Sequence, residues 1–331
     1  MDRKTRTLTI LGIAYMIWHI TTQWTLTLLP YLQWKTTPSM NFTDVTKWHS
    51  FGSFCNVIGA FVLGQYVDTT GVKFTMSIAV ALTAIYYVGL GMVRSYYGIF
   101  LIQFLRFAYH FDAGAEMYVA TISSEKERTQ MFMMLGIPIG IALLIGPNLG
   151  AELTKYLTLE HSQMICGIVL AVLLIPIILF ALPETHSLPK GTAARLKPMD
   201  YLPLLRNNMQ LLEALILRFL VVCPNIAFEL ISRQMYLKTW APHPYESHYF
   251  LVAIAVAVLL VQFIGYPYLI RSGFTPKRVM QICLISLLVI YLGLPHIHSY
   301  AQLVIITGLQ AAFFSLTFAE TSTQVIKQSC N

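Results

Sequence analysis

Ten long apolar runs, separated by short polar connections, dominate the chain. Each run approaches the length that a helix needs to cross a hydrocarbon core of about 30 Å, so each predicts a transmembrane helix. The predicted spans are 7–29, 47–67, 73–93, 96–121, 130–154, 163–182, 211–235, 246–270, 277–296 and 299–322. The one long connection, 184–210, separates an N-terminal six-helix half, 1–183, from a C-terminal half of four helices, 211–331.

Composition supports a bundle of membrane helices. Of the 331 residues, 56% are hydrophobic and only 11% are charged, and the mean hydropathy is +0.63. A soluble domain carries about 25% charged residues, so this chain lacks the polar surface to cover its own core in water. We therefore expect an all-α polytopic membrane protein that is not an enzyme, binds no nucleic acid and uses no cofactor or metal.

The basic residues predict the orientation. With the N-terminus in the cytoplasm, fourteen Lys and Arg lie inside and six lie outside, so the net charge of +7 reflects topology and the central loop is cytoplasmic. Asn41, in an Asn-Phe-Thr sequon, then falls in the first outer loop as a glycosylation site. The five tryptophans mostly fall near predicted membrane edges, as in an aromatic belt: Trp18, Trp24, Trp34, Trp48 and Trp240. The plasma membrane and an endolysosomal membrane both remain open.

Polar residues inside the spans recur in every third helix. Spans three, six and nine have no charged residue or histidine in their interiors, and we expect them to face lipid. Spans one, four, seven and ten carry His19, Gln23, Arg106, His110, Asp112, Glu116, Arg218, Asn225, Glu229, Gln310 and Glu320. Ionisable groups at mid-membrane cost several kcal/mol, so these residues predict a central cavity with a substrate or proton pathway.

A structural alternative for the same residues stays open. Arg106 can pair with Glu116 or Asp112, and Arg218 with Glu229, as ion pairs that hold packed helices together.

Two glycine-containing segments predict special backbone contacts. Gly64 to Lys73, after the second span, combines Gly64 at a close approach, Asp68 as a cap for the third helix, and Gly71 at a sharp turn before the basic Lys73. In the fifth span, Pro147 interrupts a backbone hydrogen bond between Gly146 and Gly150, which favours a bend and a close helix contact suited to gating.

These segments resemble signatures of one family. The segment 64–73 resembles the loop signature of the major facilitator superfamily, and 146–150 is similar to the signature of its drug:proton antiporter branch. Arg106 with 113–115 resembles its fourth-helix arginine motif, although His110 and Asp112 replace two glycines, which predicts loss of a close helix contact there. Within the family the chain looks closest to organic-cation-transporter-like carriers of the solute carrier family 22 member 18 type.

The resemblance implies a function. It implies a solute carrier that moves small organic solutes, in particular organic cations or drugs, by alternating access between two halves, with protons as the exchanged ion. We expect Glu116 and Glu229, followed by Asp112, to bind the cation or the proton, and His19 and His110 to relay protons.

Such carriers have twelve helices, so a ten-helix chain predicts a truncated isoform or an incomplete gene model. The alternative is a non-transporting chain that acts as a membrane interaction partner through its incomplete C-terminal half.

Overall fold

The computed structural model describes residues 3–38, 42–123, 125–184, 206, 208–228, 239–241 and 243–329. These residues are almost entirely helical and contain no strand. The helices are α1 (Arg3–Thr36), α2 (Phe42–Thr70), α3 (Val72–Met92), α4 (Tyr96–Ile102), α5 (Phe111–Ile122), α6 (Glu125–Leu153), α7 (Leu159–Ala181), α8 (Met209–Ala227), α9 (Pro244–Leu260, continued by Val261–Gly265 and Tyr266–Arg271), α10 (Pro276–Gly293) and α11 (Tyr300–Ser329). The predicted all-α fold class is confirmed.

Seven helices of the described part are long and apolar enough to cross a membrane. They comprise α2, α3, α7, α8 and α11 and the hydrophobic stretches Phe250–Leu269 and Lys277–His296. The remaining predicted spans are also helical, but α1 and α6 carry polar ends and the fourth span is interrupted. The chain is therefore a multi-pass integral membrane protein.

Short polar residues begin several of these helices. The side chains of Ser95, Thr158, Asn208 and Thr275 each accept a hydrogen bond from the backbone N–H three residues further on. Because the first turn of a helix has no internal partner for its N–H groups, each cap defines where its helix starts.

The chain divides into two compact units, which we describe separately. The N-terminal unit comprises Met1–Arg195 with His243–Tyr245, and the C-terminal unit comprises Leu196–Pro242 with Glu246–Asn331.

In the N-terminal unit, α1 packs against α6 and α7, and α3 packs against α7. Small residues bring these helices close together. An ideal Cβ on Gly146 of α6 would lie 2.5 Å from the backbone oxygen of Ile20, and one on Gly167 would lie 2.7 Å from that of Ala84. Only part of the third span can face lipid, because α3 has 61% of its apolar window buried, more than any of the other membrane-length helices.

The C-terminal unit is built from α8 to α11, with α11 packed against both α8 and α10. A small apolar cluster lies around Phe250, Leu251, Ile297 and Leu303. Side chains from three of the four helices also meet at buried polar positions, which are described below.

The fourth predicted span is not one continuous helix. It begins as α4, tightens into a 3-10 segment at Gln103–Ala108, and leaves helical geometry at Tyr109 (φ −77°, ψ 62°) and His110 (φ −131°, ψ 24°) before α5 begins. A contact with another helix stabilises this break: one ring nitrogen of His110 lies 2.8 Å from the backbone oxygen of Asn56 in α2. The prediction of an unbroken helix over 96–121 is therefore wrong.

Candidate functional site

The helix break places one carboxylate at the start of α5. Asp112 lies in the first turn of that helix, where the positive end of the helix dipole favours a negative charge. The indole N–H of Trp18 donates a hydrogen bond to Asp112 Oδ2 at 3.3 Å, and Nε2 of His19 lies 3.1 Å from Oδ1. The side chain of Asp112 is 38% exposed and that of His19 is 13% exposed, so this pair is held from one side and open on the other. We call these two residues the His19–Asp112 pair.

Aromatic side chains form the support beneath the pair. Trp18 and Phe111 are fully buried with ring centroids 5.0 Å apart, and Trp18 also contacts the ring of Tyr109 at 4.9 Å. Tyr15, one turn before His19, contacts the histidine ring edge-on at 4.5 Å. These rings fix the rotamers of the pair and exclude water from its protein side.

A ring of three hydroxyl groups lies next to this support. Tyr109 donates to Thr22 Oγ1 at 2.9 Å, Tyr87 donates to Tyr109 Oη at 3.4 Å, and Thr22 and Tyr87 are 3.3 Å apart. Each hydroxyl can donate once and accept once around the ring. The ring therefore ties α1, α3 and the residue at the helix break to one another.

Two other predicted residues lie one turn from the pair along their helices. Glu116 is exposed one turn after Asp112, and Tyr15 interacts electrostatically with both carboxylates. Gln23 is half-buried one turn after His19, and an ideal Cβ on Gly146 of α6 would lie 2.9 Å from its Cβ. The structure thus brings His19 and Asp112 into contact, with Glu116 one turn further along α5, whereas Gln23 lies against α6.

Arg106 lies apart from these carboxylates. Its side chain lies against Gly52 of α2, and Asp112 is paired with His19 instead. No carboxylate among the described residues forms a salt bridge with Arg106, so the predicted pairing with Glu116 or Asp112 is wrong. The chain leaves helical geometry at Tyr109 and His110, between Arg106 and Asp112, so the two side chains do not follow one helical periodicity.

The predicted loss of a close contact at the fourth span is also wrong. An ideal Cβ on Gly59 of α2 would lie 1.7 Å from the backbone oxygen of Phe107. The close helix contact at the fourth span is therefore made by a glycine of α2, and not by glycines within the fourth span itself. His110 contributes to the same interface through the backbone oxygen of Asn56.

In the C-terminal unit, the predicted residues form a second polar cluster. The amide N–H₂ of Gln310 donates to Asn225 Oδ1 and, at 3.2 Å, to the hydroxyl of Tyr291. Asn225 and Gln310 are both buried, so this cluster joins α8, α10 and α11 in a region of low dielectric.

Arg218 contacts an aromatic ring of α11. Its guanidinium lies over the ring of Phe318 in α11, 4.8 Å from the centroid, as a cation–π contact. Glu229, the predicted partner, lies outside the described residues. Glu320 is half-buried and interacts electrostatically with Tyr266.

The loop after α2 keeps the predicted turn. Gly71 has φ 92°, which favours glycine, and it is the N-cap of α3. The backbone of Asp68 lies within α2, which continues to Thr70, and its capping role stays a prediction. Lys73 pairs with Glu184 at 3.0 Å. An ideal Cβ on Gly64 would meet no atom within 4 Å, so the close approach predicted at that glycine is wrong.

The glycines of α6 lie against α1. An ideal Cβ on Gly150 would lie 2.7 Å from the Trp24 ring, and Gly146 is equally close to the backbone of α1, with Pro147 between the two glycines. Asn41, the predicted glycosylation site, lies outside the described residues.

Sequence reasoning missed the tryptophan, tyrosine and threonine side chains around the pair. Trp18, Trp24 and Trp48 are buried within the N-terminal unit, so the interpretation of these three as belt residues is wrong. The i, i+4 spacing of Tyr15 with His19 and of Trp18 with Thr22 is the sequence signal that marks this face of α1.

Residues 8–328 match the family model of the Major Facilitator Superfamily, nearly the whole chain. The chain belongs to the major facilitator superfamily. Membership in this superfamily indicates a secondary transporter rather than an enzyme. A comparison with curated proteins found no match.

Solved structures of other transporters share the fold. A mutant of the nucleoside transporter NupG superposes with a TM-score of 0.68 at 16% identity, covering 96% of this chain and 81% of that chain. The human organic anion transporter MFSD10 gives 0.65 at 16% identity, covering 99% and 94%. A bacterial homologue of the human lysosomal transporter Spinster gives 0.62 at 12% identity, covering 100% and 80%. At these identities the likeness shows the fold alone.

Proposed function

We propose that this chain is a secondary active transporter of small organic solutes, in particular organic cations or drugs, and that it exchanges them for protons. The observation that carries the proposal is the Asp112 carboxylate at the helix break, held by Trp18 and His19 and open to solvent on its other side. A half-exposed anion on a rigid apolar support suits an organic cation with an apolar body.

The His19–Asp112 pair also suits proton exchange. When His19 carries a proton, the 3.1 Å contact becomes an ion pair and the charge of Asp112 is balanced. When His19 is neutral, the carboxylate needs another cation, and an organic cation can take that place. Solute and proton then alternate at one carboxylate, and Glu116, one turn away, offers a second anion on the same face.

The close packing of α1 against α6 suits a unit that moves as a body in alternating access. Gly146 and Gly150 leave no room for a side chain between these helices, so the contact between them is rigid. The His19–Asp112 pair is anchored on α1 and would move with it.

We propose that the N-terminus and the loop 184–210 face the cytoplasm. The excess of Lys and Arg on that side supports this orientation. Asn41 would then lie on the opposite side, exposed to the glycosylation machinery.

The test uses the purified chain in liposomes with a pH-sensitive dye inside. Ethidium and tetraphenylphosphonium are suitable probes, because both are permanently charged and carry no proton of their own across the bilayer. We expect an imposed proton gradient to drive their movement, and each cation to drive proton flow in return. Movement of cations without proton flow would contradict exchange. If neither cation moves in folded, membrane-inserted protein, the transport proposal is wrong and the non-transporting alternative gains support.

A further inference from the structure

The structure places a second charged position on the opposite side of the helix break, around Arg106. This arginine lies in the 3-10 segment Gln103–Ala108 and is only half-buried. An ideal Cβ on Gly52 of α2 would lie 2.7 Å from both Cδ and Nη1 of Arg106. The guanidinium therefore occupies space that exists only because residue 52 has no side chain.

The surroundings of Arg106 are polar. Gln103, whose side chain is almost fully buried, borders the same space beside Gly52, with its oxygen 2.8 Å from the same ideal Cβ. That oxygen accepts a hydrogen bond from Tyr86 at 3.3 Å. His49, about one turn before Gly52 on α2, interacts electrostatically with Arg106.

No acidic group balances this charge within the part of the chain that the structure describes. Asp112 is engaged by His19 and Trp18, and Arg106 forms no salt bridge with a described residue. A guanidinium in a membrane helix must face water or bind an anion, because lipid offers it no hydrogen-bond acceptor. A planar guanidinium binds a carboxylate through two parallel hydrogen bonds.

We propose that Arg106, whose guanidinium occupies the space beside Gly52 of α2, binds the carboxylate group of an organic solute. Tyr109 interacts electrostatically with Arg106 and also with Asp112, so opposite charges flank the break in the fourth span. The anion site at Arg106 does not depend on cation transport, so the two proposals can fail separately.

The test measures protection of single arginines in the purified full-length chain. Phenylglyoxal reacts with free guanidinium groups, and mass spectrometry then gives the modification rate of Arg106 and of Arg218. Arg218 is the internal control because it lies over the Phe318 ring in the C-terminal unit. Benzoate is the anionic probe, and protonated benzylamine is the matched probe with the same ring and the opposite charge.

We expect Arg106 to be modified, and saturating benzoate to slow its modification about tenfold while benzylamine and Arg218 show no such effect. The proposal is overturned if Arg106 does not react, if benzoate gives no protection, or if benzylamine or Arg218 shows the same protection.

A variant that keeps Arg106 tests the role of the space beside Gly52. Gly52→Ala places a methyl group in the space of the guanidinium, so we expect benzoate protection of Arg106 to fall to less than half. Gly64→Ala on the same helix meets no atom within 4 Å and should keep full protection. If benzoate protects Arg106 equally well in folded Gly52→Ala, the space beside Gly52 plays no part in anion binding. If that variant does not fold, the wild-type protection experiment still decides the proposal.

Discussion

The contact between α2 and the fourth span can be tested by adding a single methyl group. In Gly59→Ala, the new Cβ would lie 1.7 Å from the backbone oxygen of Phe107, whereas real Cβ atoms essentially never come closer than 3.0 Å. The two backbones must therefore separate by at least about 1.3 Å, the difference between these two distances. A backbone oxygen cannot rotate away, so the packing of α2 against Gln103–Ala108 opens along its length.

Overpacking of this kind costs about 1–3 kcal/mol, and the backbone clash places Gly59→Ala at the upper end. For a chain of 331 residues, a loss of about 3 kcal/mol corresponds to a fall in Tm of about 4 °C. Gly64→Ala is the control on the same helix, because its methyl group meets nothing and alanine favours a helix by about 1 kcal/mol over glycine.

Thermal unfolding of the purified variants in detergent, followed by tryptophan fluorescence, measures both effects. We expect Tm to fall for Gly59→Ala and to stay constant or rise for Gly64→Ala. If Gly59→Ala unfolds at the wild-type temperature, the close backbone contact does not exist and the described helix break loses its support.

Three further predictions concern single side chains. Trp18→Phe removes the indole donor to Asp112 and should lower the initial rate of cation transport in liposomes about tenfold. Trp24→Phe, which removes the donor to Ser162, should change that rate by less than about twofold. Equal losses in the two variants would contradict a specific role for Trp18. Gln310→Leu leaves the buried oxygen of Asn225 without its donor, so we expect stability to fall by about 1–3 kcal/mol, visible as a lower Tm in detergent. Replacing both Gln310 and Asn225 by Leu should recover part of that stability. No recovery would refute the energetic coupling of these two residues. Asn41→Gln should abolish a glycosidase-sensitive mobility shift of the protein expressed in eukaryotic cells, and a shift that persists would place the glycan elsewhere.

Sequence reasoning predicted the helices because a membrane helix is a local feature. A run of bilayer length must be helical to satisfy its own backbone, whatever its neighbours are. The interruption at Tyr109 and His110 was not predictable in this way, because neither glycine nor proline marks it. Its cause is tertiary, in the contacts of His110 with Asn56 and of Tyr109 with Thr22.

The candidate site was predicted as a set of residues but not as an arrangement. Polarity inside apolar runs identified His19 and Asp112, yet only the packing of α1 against α5 shows that they pair. Sequence reasoning placed Arg106 in the same predicted helix as Asp112 and Glu116, but the chain leaves helical geometry between them, and Arg106 lies against Gly52 of α2.

The tryptophans show a different limit of sequence reasoning. A tryptophan near a predicted membrane edge fits an interfacial belt and a buried hydrogen-bond donor equally well. Only the fold shows that Trp18 is a buried donor to a carboxylate.

Cation transport by Asp112→Asn is the most direct test of the proposed site. The substitution keeps the size of the side chain and removes the charge beside His19 and Trp18. Asp44→Asn is the matched control, since Asp44 lies in the first turn of α2 and pairs with Lys47, three residues away at 3.4 Å. Initial uptake of ethidium into liposomes, at equal amounts of inserted protein, should fall about tenfold or more for Asp112→Asn and stay at the wild-type rate for Asp44→Asn. Wild-type uptake by Asp112→Asn, with unchanged dependence on ethidium concentration, would contradict the assignment of this carboxylate as the cation site.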